Sequence, residues 1–286
     1  MKICVLGNGF IAEHLSYDKP NVYLEPNTRS VQNFIDIYKP DVIVSCIGKT
    51  GRPNIDWCEN NQEATLISNV TIPTLLAQEC NKQSIHLVQI NSGCIFYGPS
   101  PRVDKSVLNQ QVSYDYGWRE RDAANPKSFY SKTKYACDLL IGDLPNVTTL
   151  RIRMPISEKN HPRNLINKLK TYSKIIDIKN SVTFISDLIR CIDHLISNNY
   201  TGIFHVTNPE PLTAVEIMNE YQKYIPLHQF EIISEDELAE LTQATRSNCI
   251  LDCLKLRQTG FLMTPTQEAL TQCMANYFNN IGIRRF

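Results

Sequence analysis

An α/β fold built on a doubly wound parallel sheet is predicted by three features of the sequence. Short apolar runs recur through the first half: KICVLG (2–7), NVYLE (21–25), DVIVSCI (41–47), IHLVQI (85–90) and VTTLRI (147–152). Each run is continuously apolar rather than alternating, the mark of a strand covered on both faces. Helical patterns separate them, near 10–17, 31–38, 61–80 and 128–141, which is the rhythm of successive βαβ units.

Taken in order, the first run passes into Gly7-Asn8-Gly9-Phe10-Ile11-Ala12, a GxGxx(G/A) turn that should open the first helix. Glycines there allow a tight turn and bring backbone N–H groups against a pyrophosphate. Gly7, Gly9, Phe10 and Ile11 are therefore candidates for dinucleotide binding in a Rossmann-like domain. An acidic residue ending the second strand would favour NAD. Glu25 stands there, but Pro26 follows and Arg29 comes shortly after. Arg29 could pair with a 2′-phosphate, which points to NADPH, with NADH as the other option; a solvated surface arginine is the plainer reading. Pro73 lies inside the third helical pattern and should kink or split it.

After Arg153 the rhythm changes. A helix near 163–172, a strand near 174–178, a helix near 186–198, a strand near 203–207 and two or three later helices suggest a smaller C-terminal α/β lobe. The expected division is a nucleotide-binding domain over 1–155, with the chain returning to it near 184–208, and a second lobe over 156–286. At 286 residues the chain can bury such a body.

Composition excludes several classes. The 29 basic and 29 acidic side chains cancel, leaving no broad electrostatic footprint for nucleic acid or an anionic membrane. No apolar run approaches the roughly 20 residues of a membrane span, and the N-terminus lacks the pattern of a signal peptide. Ten scattered cysteines show no zinc spacing. They read as reduced thiols of a cytoplasmic protein, with no metal site. Gly48-Lys49-Thr50 imitates a phosphate-binding loop, but Ile43 occupies the position of its first glycine.

The segment SFYSKTKY supplies Tyr130 and Lys134, four apart on a helical pattern. With 13 tyrosines and 16 lysines, about 0.7 such pairs are expected by chance, so the pair needs company. Ser92, at the end of the fourth run, provides it. An ammonium beside a phenol lowers its pKa, and a tuned phenol can protonate an alkoxide while a nearby hydroxyl holds the same oxygen. That is the chemistry of ketone reduction.

Ser92, Tyr130 and Lys134 together with the glycine turn resemble the extended short-chain dehydrogenase/reductases. GRPNIDWCE (51–59), NSGCIF (91–96), LRIRMPIS (150–157), PRNLINKL (162–169), TGIFHVTNP (201–209) and RSNCILD (246–252) are similar, in order, to the nucleotide-sugar 3,5-epimerase/4-reductases that make UDP-L-rhamnose. The same branch contains the dTDP-4-dehydrorhamnose reductases. One departure is GxGxxA in place of the family's more usual GxxGxxG. The resemblance implies that Lys134 also holds the nicotinamide ribose. It further implies UDP-4-keto-6-deoxyglucose as substrate, a nucleotide-glucose 4,6-dehydratase acting beforehand, and compatibility with a homodimer.

A 4-keto sugar has acidic hydrogens at C3 and C5, and inverting each centre needs a proton carrier on either face of the ring. Cys94 lies two residues beyond Ser92, a spacing that on a strand directs both side chains to one face. The resemblance assigns Cys94 one proton-carrying role and Lys168 the other; a packed thiol is the alternative for Cys94. Arg163 and Arg246 match segments expected to hold the diphosphate, with Arg52 and Asn164 as further substrate contacts. Two rival readings stay open: a 4-reductase acting on a sugar epimerised elsewhere, and a non-catalytic nucleotide-binding regulatory subunit.

Overall fold

A computed structural model of the chain describes residues 1–20, 22–102 and 117–283. Asn21, at the start of the expected second strand, residues 103–116 within the expected first domain and residues 284–286 within the second lie outside the described residues.

In chain order the first half comprises β1 (Ile3–Leu6), a single 3-10 turn (Ala12–His14), α1 (Thr28–Tyr38), β2 (Val42–Ser45), α2 (Asp56–Asn60), α3 (Gln62–Leu66), a π-turn (Ile67–Thr71), α4 (Ile72–Lys82), β3 (His86–Ser92) and α5 (Phe129–Ile141). The second half adds β4 (Val147–Ile152), β5 (Pro155–Ile156), α6 (Leu165–Leu169), β6 (Lys174–Ile176), β7 (Thr183–Phe184), α7 (Ile185–Ser197) and β8 (Gly202–His205). It closes with α8 (Ala214–Gln222), β9 (Glu231–Ile233), α9 (Glu235–Glu240), α10 (Leu254–Gln258) and α11 (Thr266–Asn280).

Five strands form the central sheet in the order β1-β2-β3-β4-β8. β1, β2 and β3 pair in parallel, with Leu6 level with Ser45 and Ser45 level with Gln89. Cys4, Leu6, Ile43, Leu87 and Val147 of this sheet pack with Phe34, Leu76, Cys137 and Ile141 of the covering helices in one buried cluster. The α/β class expected from the sequence is the one observed.

Two expectations need correction. Residues 22–25 form no strand. Pro20 and Pro26 flank them, and each removes a backbone donor that a ladder would use. Asp18 instead makes an isolated parallel bridge to Cys4, and its carbonyl accepts the Val5 N–H at 2.7 Å. The helix expected over 10–17 is only the 3-10 turn. The helical run over 61–80 is split as Pro73 predicts, into α3, the π-turn and α4. There the Ile72 N–H bonds the Ile67 carbonyl five residues back, and the Thr74 hydroxyl caps the Val70 carbonyl at 2.7 Å.

The chain divides into two compact units. The first is Met1–Ile95 with Ala123–Arg151 and Ile192–Phe204; the second is Phe96–Asp122 with Ile152–Cys191 and His205–Phe286. The second unit has its own core, in which Phe184, Ile217, Met218, Met274, Tyr277 and Phe278 are buried together. Its small sheets pair β5 with β7 and β6 with β9. No helix among the described residues is long and apolar enough to cross a membrane.

Candidate active site

Gly7 and Gly9 follow the carboxyl end of β1, and Ser92 stands at that of β3. Gly7 follows β1 with φ at 105°, and a Cβ there would stand 3.1 Å from the Cys46 carbonyl carbon. Only glycine combines that left-handed backbone with so close an approach to the exit of β2. Gly9 is different: a Cβ would meet nothing within 4 Å. No protein packing demands glycine at this position, and the open space above its backbone suits a pyrophosphate. Phe10 is buried and Ile11 opens the 3-10 turn, whose His14 ring nitrogen pairs with the Phe10 carbonyl at 2.7 Å. Arg29 is exposed in the first turn of α1. Glu25 lies nearby, where its carboxylate accepts from the Asn27 amide at 3.0 Å.

The helix bearing Tyr130 and Lys134, α5, is fixed at its start by two acceptors. Ser128, its N-cap, receives the Ser131 N–H at 3.1 Å, and Glu59 of α2 receives the Phe129 N–H at 2.8 Å. Such caps satisfy backbone donors that a helix leaves unpaired. Tyr130 and Lys134 are both buried, only 6% and 5% exposed. The Lys134 ammonium lies beside Gly48, where a Cβ would stand 3.1 Å from Nζ and 3.3 Å from Asn69 Oδ1. Burial pushes the Lys134 pKa down, while neighbouring Cys137 and Asp138 pull it back up.

Asn69, in the π-turn, went unnoticed in the sequence. It is wholly buried; its Oδ1 accepts the Lys49 N–H at 2.7 Å, and its amide donates to the Lys49 carbonyl at 3.0 Å and to Thr133 Oγ1 at 3.1 Å. One side chain thus ties the loop after β2 to α5, and π-turns recur at such sites. Asp138 and Arg151 were missed too. They form an ion pair at 2.7 Å with side chains 1% and 2% exposed. Neither an isolated asparagine nor charges in an apolar run give a distinctive sequence signal.

Ser92 ends β3 and is buried. The chain turns immediately after it, and Ser92 Oγ accepts the Cys94 N–H at 3.1 Å. The same-face argument for Ser92 and Cys94 therefore fails, because residues 93–95 are turn rather than strand. A hydroxyl-capped turn, not strand periodicity, brings the two together. Cys94 is held from the other side, its carbonyl accepting the Ser131 hydroxyl at 2.6 Å. None of the ten cysteines is in a disulfide; eight are buried, and Cys46 and Cys94 are partly buried. Burial pushes the Cys46 thiol up to about 12.

Arg52 is exposed in the loop before α2. The second unit holds Lys168, half-buried in the last turn of α6, and half-buried Arg163 and Arg246. The Arg163 N–H bonds the His161 ring at 3.0 Å, and an Arg246 guanidinium N–H bonds the Ala244 carbonyl at 3.2 Å. Asn164 departs from its expected role in substrate contact. It is fully buried as the N-cap of α6, and both amide protons are committed, to Ser157 O at 2.6 Å and Lys159 O at 2.8 Å. No donor is left for a ligand.

Residues 13–279 match the family model described as the RmlD substrate binding domain. The chain is 35% identical over 256 residues to the bifunctional dTDP-4-dehydrorhamnose 3,5-epimerase/dTDP-4-dehydrorhamnose reductase of Arabidopsis thaliana, covering 88% of this chain and 82% of that protein. It is 34% identical to an Arabidopsis trifunctional UDP-glucose 4,6-dehydratase/UDP-4-keto-6-deoxy-D-glucose 3,5-epimerase/UDP-4-keto-L-rhamnose-reductase, where 93% of this chain spans only 39% of the larger protein. The crystal structure of the L780 UDP-rhamnose synthase from Acanthamoeba polyphaga mimivirus superposes with a TM-score of 0.87 at 28% identity, covering 96% of this chain and 99% of that one. A Bacillus anthracis dTDP-4-dehydrorhamnose reductase solved with NADP shares the fold, with a TM-score of 0.76 at 21% identity, covering 96% of this chain and 98% of that one. By sequence and by fold, this chain belongs to the RmlD substrate-binding-domain family.

Proposed function

We propose that the chain converts UDP-4-keto-6-deoxyglucose to UDP-L-rhamnose, inverting C3 and C5 and reducing the C4 ketone with NADPH. The observation that carries this reading is the shared scaffold of Ser92, Cys94, Tyr130 and Lys134. The reductase set and a half-buried thiol stand on one turn and one helix that are bonded to each other through Ser131.

The residues present fit a dinucleotide. Gly7 and Gly9 with the N–H groups of Phe10 and Ile11 would take the pyrophosphate, Arg29 the 2′-phosphate, and Tyr130 and Lys134 the nicotinamide ribose. NADPH, when bound, supplies the hydride for C4. Tyr130 gives its proton to the C4 oxygen, and the Lys134 ammonium favours the phenolate left behind. Ser92 donates a hydrogen bond to the same oxygen, which carries negative charge during both proton exchange and reduction. Cys94 moves protons at the ring carbons, with Lys168 as the second proton carrier. Arg52, Arg163 and Arg246 bind the nucleotide-sugar diphosphate, work suited to guanidinium groups.

The substrate must be made by a 4,6-dehydration of a nucleotide-linked glucose. The trifunctional relative names that activity alongside its epimerase and reductase activities. The test is incubation of the purified chain with UDP-4-keto-6-deoxyglucose and NADPH in heavy water. Rhamnose bearing deuterium at both C3 and C5 is expected. A reduced sugar without carbon-bound deuterium would leave a 4-reductase, and no turnover would leave a nucleotide-binding module.

A further inference from the structure

Beneath the proposed reductase set lies a polar layer that the reaction does not touch. Asp138 follows Lys134 by one turn of α5, and its carboxylate receives Arg151 Nε from β4 at 2.7 Å and the Asn91 amide from β3. The same Asn91 amide nitrogen donates to the Lys134 carbonyl at 3.1 Å. Asn91 immediately precedes Ser92. Because both of its neighbours only accept, the orientation of the Asn91 amide is fixed.

We propose that Asp138, paired with Arg151 and bridged to β3 by Asn91, is a positioning residue that holds Lys134 and Ser92 in register for reduction. The inference rests on the functional reading above and adds to it residues that contact no substrate.

Stability alone does not account for this layer. A buried ion pair commonly adds little over well-packed apolar side chains of the same volume, whereas losing one partner is costly. The layer also leaves Asn91 Oδ1 buried without a hydrogen-bond partner in the protein, an arrangement that costs stability. Elsewhere the same helix packs conventionally, with Cys137 and Ile141 in a cluster with Leu87 and Val147.

Charge reinforces geometry. Lys134 loses proton affinity through burial, and the groups that restore it are Asp138 and Cys137 on α5, Cys46 after β2 and Cys58 on α2. Asp138 is the carboxylate among them. Burial pushes its own pKa up, and the adjacent Arg151 guanidinium opposes that shift.

The experiment replaces the pair as a unit, Asp138→Leu with Arg151→Met, in the full chain. The expected result is a melting temperature within a few degrees of wild type, a kcat for reduction down about tenfold or more, and a KM for the nucleotide sugar changed by less than about threefold. The alkaline limb of the pH–rate profile should move to lower pH, since Lys134 then loses its proton earlier. Wild-type kcat with an unmoved limb would overturn the proposal. Should the double variant not fold, Asn91→Ser removes the bridge and leaves the ion pair; an unchanged kcat there would overturn it equally. Absence of reduction by the wild type would sink the functional reading instead. NADPH affinity, measured by fluorescence, then becomes the readout: about tenfold weaker binding in the double variant supports positioning of Lys134 and equal binding refutes it.

Discussion

The Ser131 hydroxyl donates a 2.6 Å hydrogen bond to the carbonyl of Cys94, tying the turn that carries the thiol to the helix that carries Tyr130. Ser131 is itself buried within the first turn of α5. Replacing it with alanine removes this bond and leaves a carbonyl to find another partner, at a cost of about 1–2 kcal/mol. The Ser131→Ala enzyme is expected to lose roughly tenfold in deuterium incorporation at C3 and C5, while its reduction of an already epimerised sugar falls less than about threefold. Cys94→Ala should abolish incorporation and spare reduction. Product analysis by mass spectrometry in heavy water measures both, and parallel loss of the two activities in either variant would contradict a proton-carrying role.

The two glycines of the proposed nucleotide turn should respond oppositely to alanine. Gly7→Ala puts a side chain into a left-handed backbone and against the Cys46 carbonyl, and is expected to destabilise the fold by about 2 kcal/mol or more. Gly9→Ala meets no protein atom, so its melting temperature should match wild type while NADPH affinity drops about tenfold. Thermal unfolding and fluorescence titration separate the cases. Unchanged NADPH binding by Gly9→Ala would remove the pyrophosphate from this turn.

Lys134 carries its charge in a place that disfavours it. Because burial lowers its pKa below the ordinary 10.5, there is an alkaline window in which the unfolded chain binds the proton and the folded chain does not. Stability therefore rises with pH from the lowered folded value up to that ordinary value. Lys134→Met is expected to flatten this rise and to increase stability near neutrality by about 1 kcal/mol, while reduction falls by about a hundredfold or more. Urea unfolding at several pH values, run beside an activity assay, checks the trade. A variant both less stable and fully active would refute the assignment.

Asn164 and Arg246 come from neighbouring steps of one sequence argument but have different tasks. Asn164→Ala strips the donors that hold Ser157 and Lys159 and removes the α6 cap, with an expected cost of about 2–3 kcal/mol. Arg246→Ala and Arg163→Ala should leave the melting temperature within about 2 °C and raise the KM for the nucleotide sugar about tenfold. Steady-state kinetics beside calorimetry distinguishes them. Wild-type KM in both arginine variants would move the diphosphate elsewhere.

How far the sequence reaches depends on whether a residue works through its type or through its surroundings. β1, β2, β3, β4 and α5 were legible because continuous apolar runs and a helical Tyr–Lys spacing are local signals. The strand expected at 21–25 failed because its flanking prolines compete with its apolar pattern, and no local rule weighs one against the other. Ser92 and Cys94 were found as a pair for a mistaken reason, since the turn that joins them forms through a side-chain hydroxyl rather than the alternation of a strand. Asn69, Asn91, Asp138 and Arg151 were invisible. Their significance comes from partners 43 to 64 residues away in the cases of Lys134 and Thr133, and only folding assembles those pairs.

The π-turn over Ile67–Thr71 sets the phase of a helical run, because its wider loop holds one more residue than an α-helical turn would. That extra residue rotates everything before it by about 100° relative to α4. The run is thus geared: Asn69 reaches Lys49 and Thr133 only while the count is kept. Deleting one residue here would do what a deletion in a surface loop would not, turning α3 away from α5 while leaving every side chain of the site chemically intact. Length variation in this chain should therefore be absorbed elsewhere, and a homologue engineered by splicing helices would need to carry the π-turn and Pro73 together as a single piece.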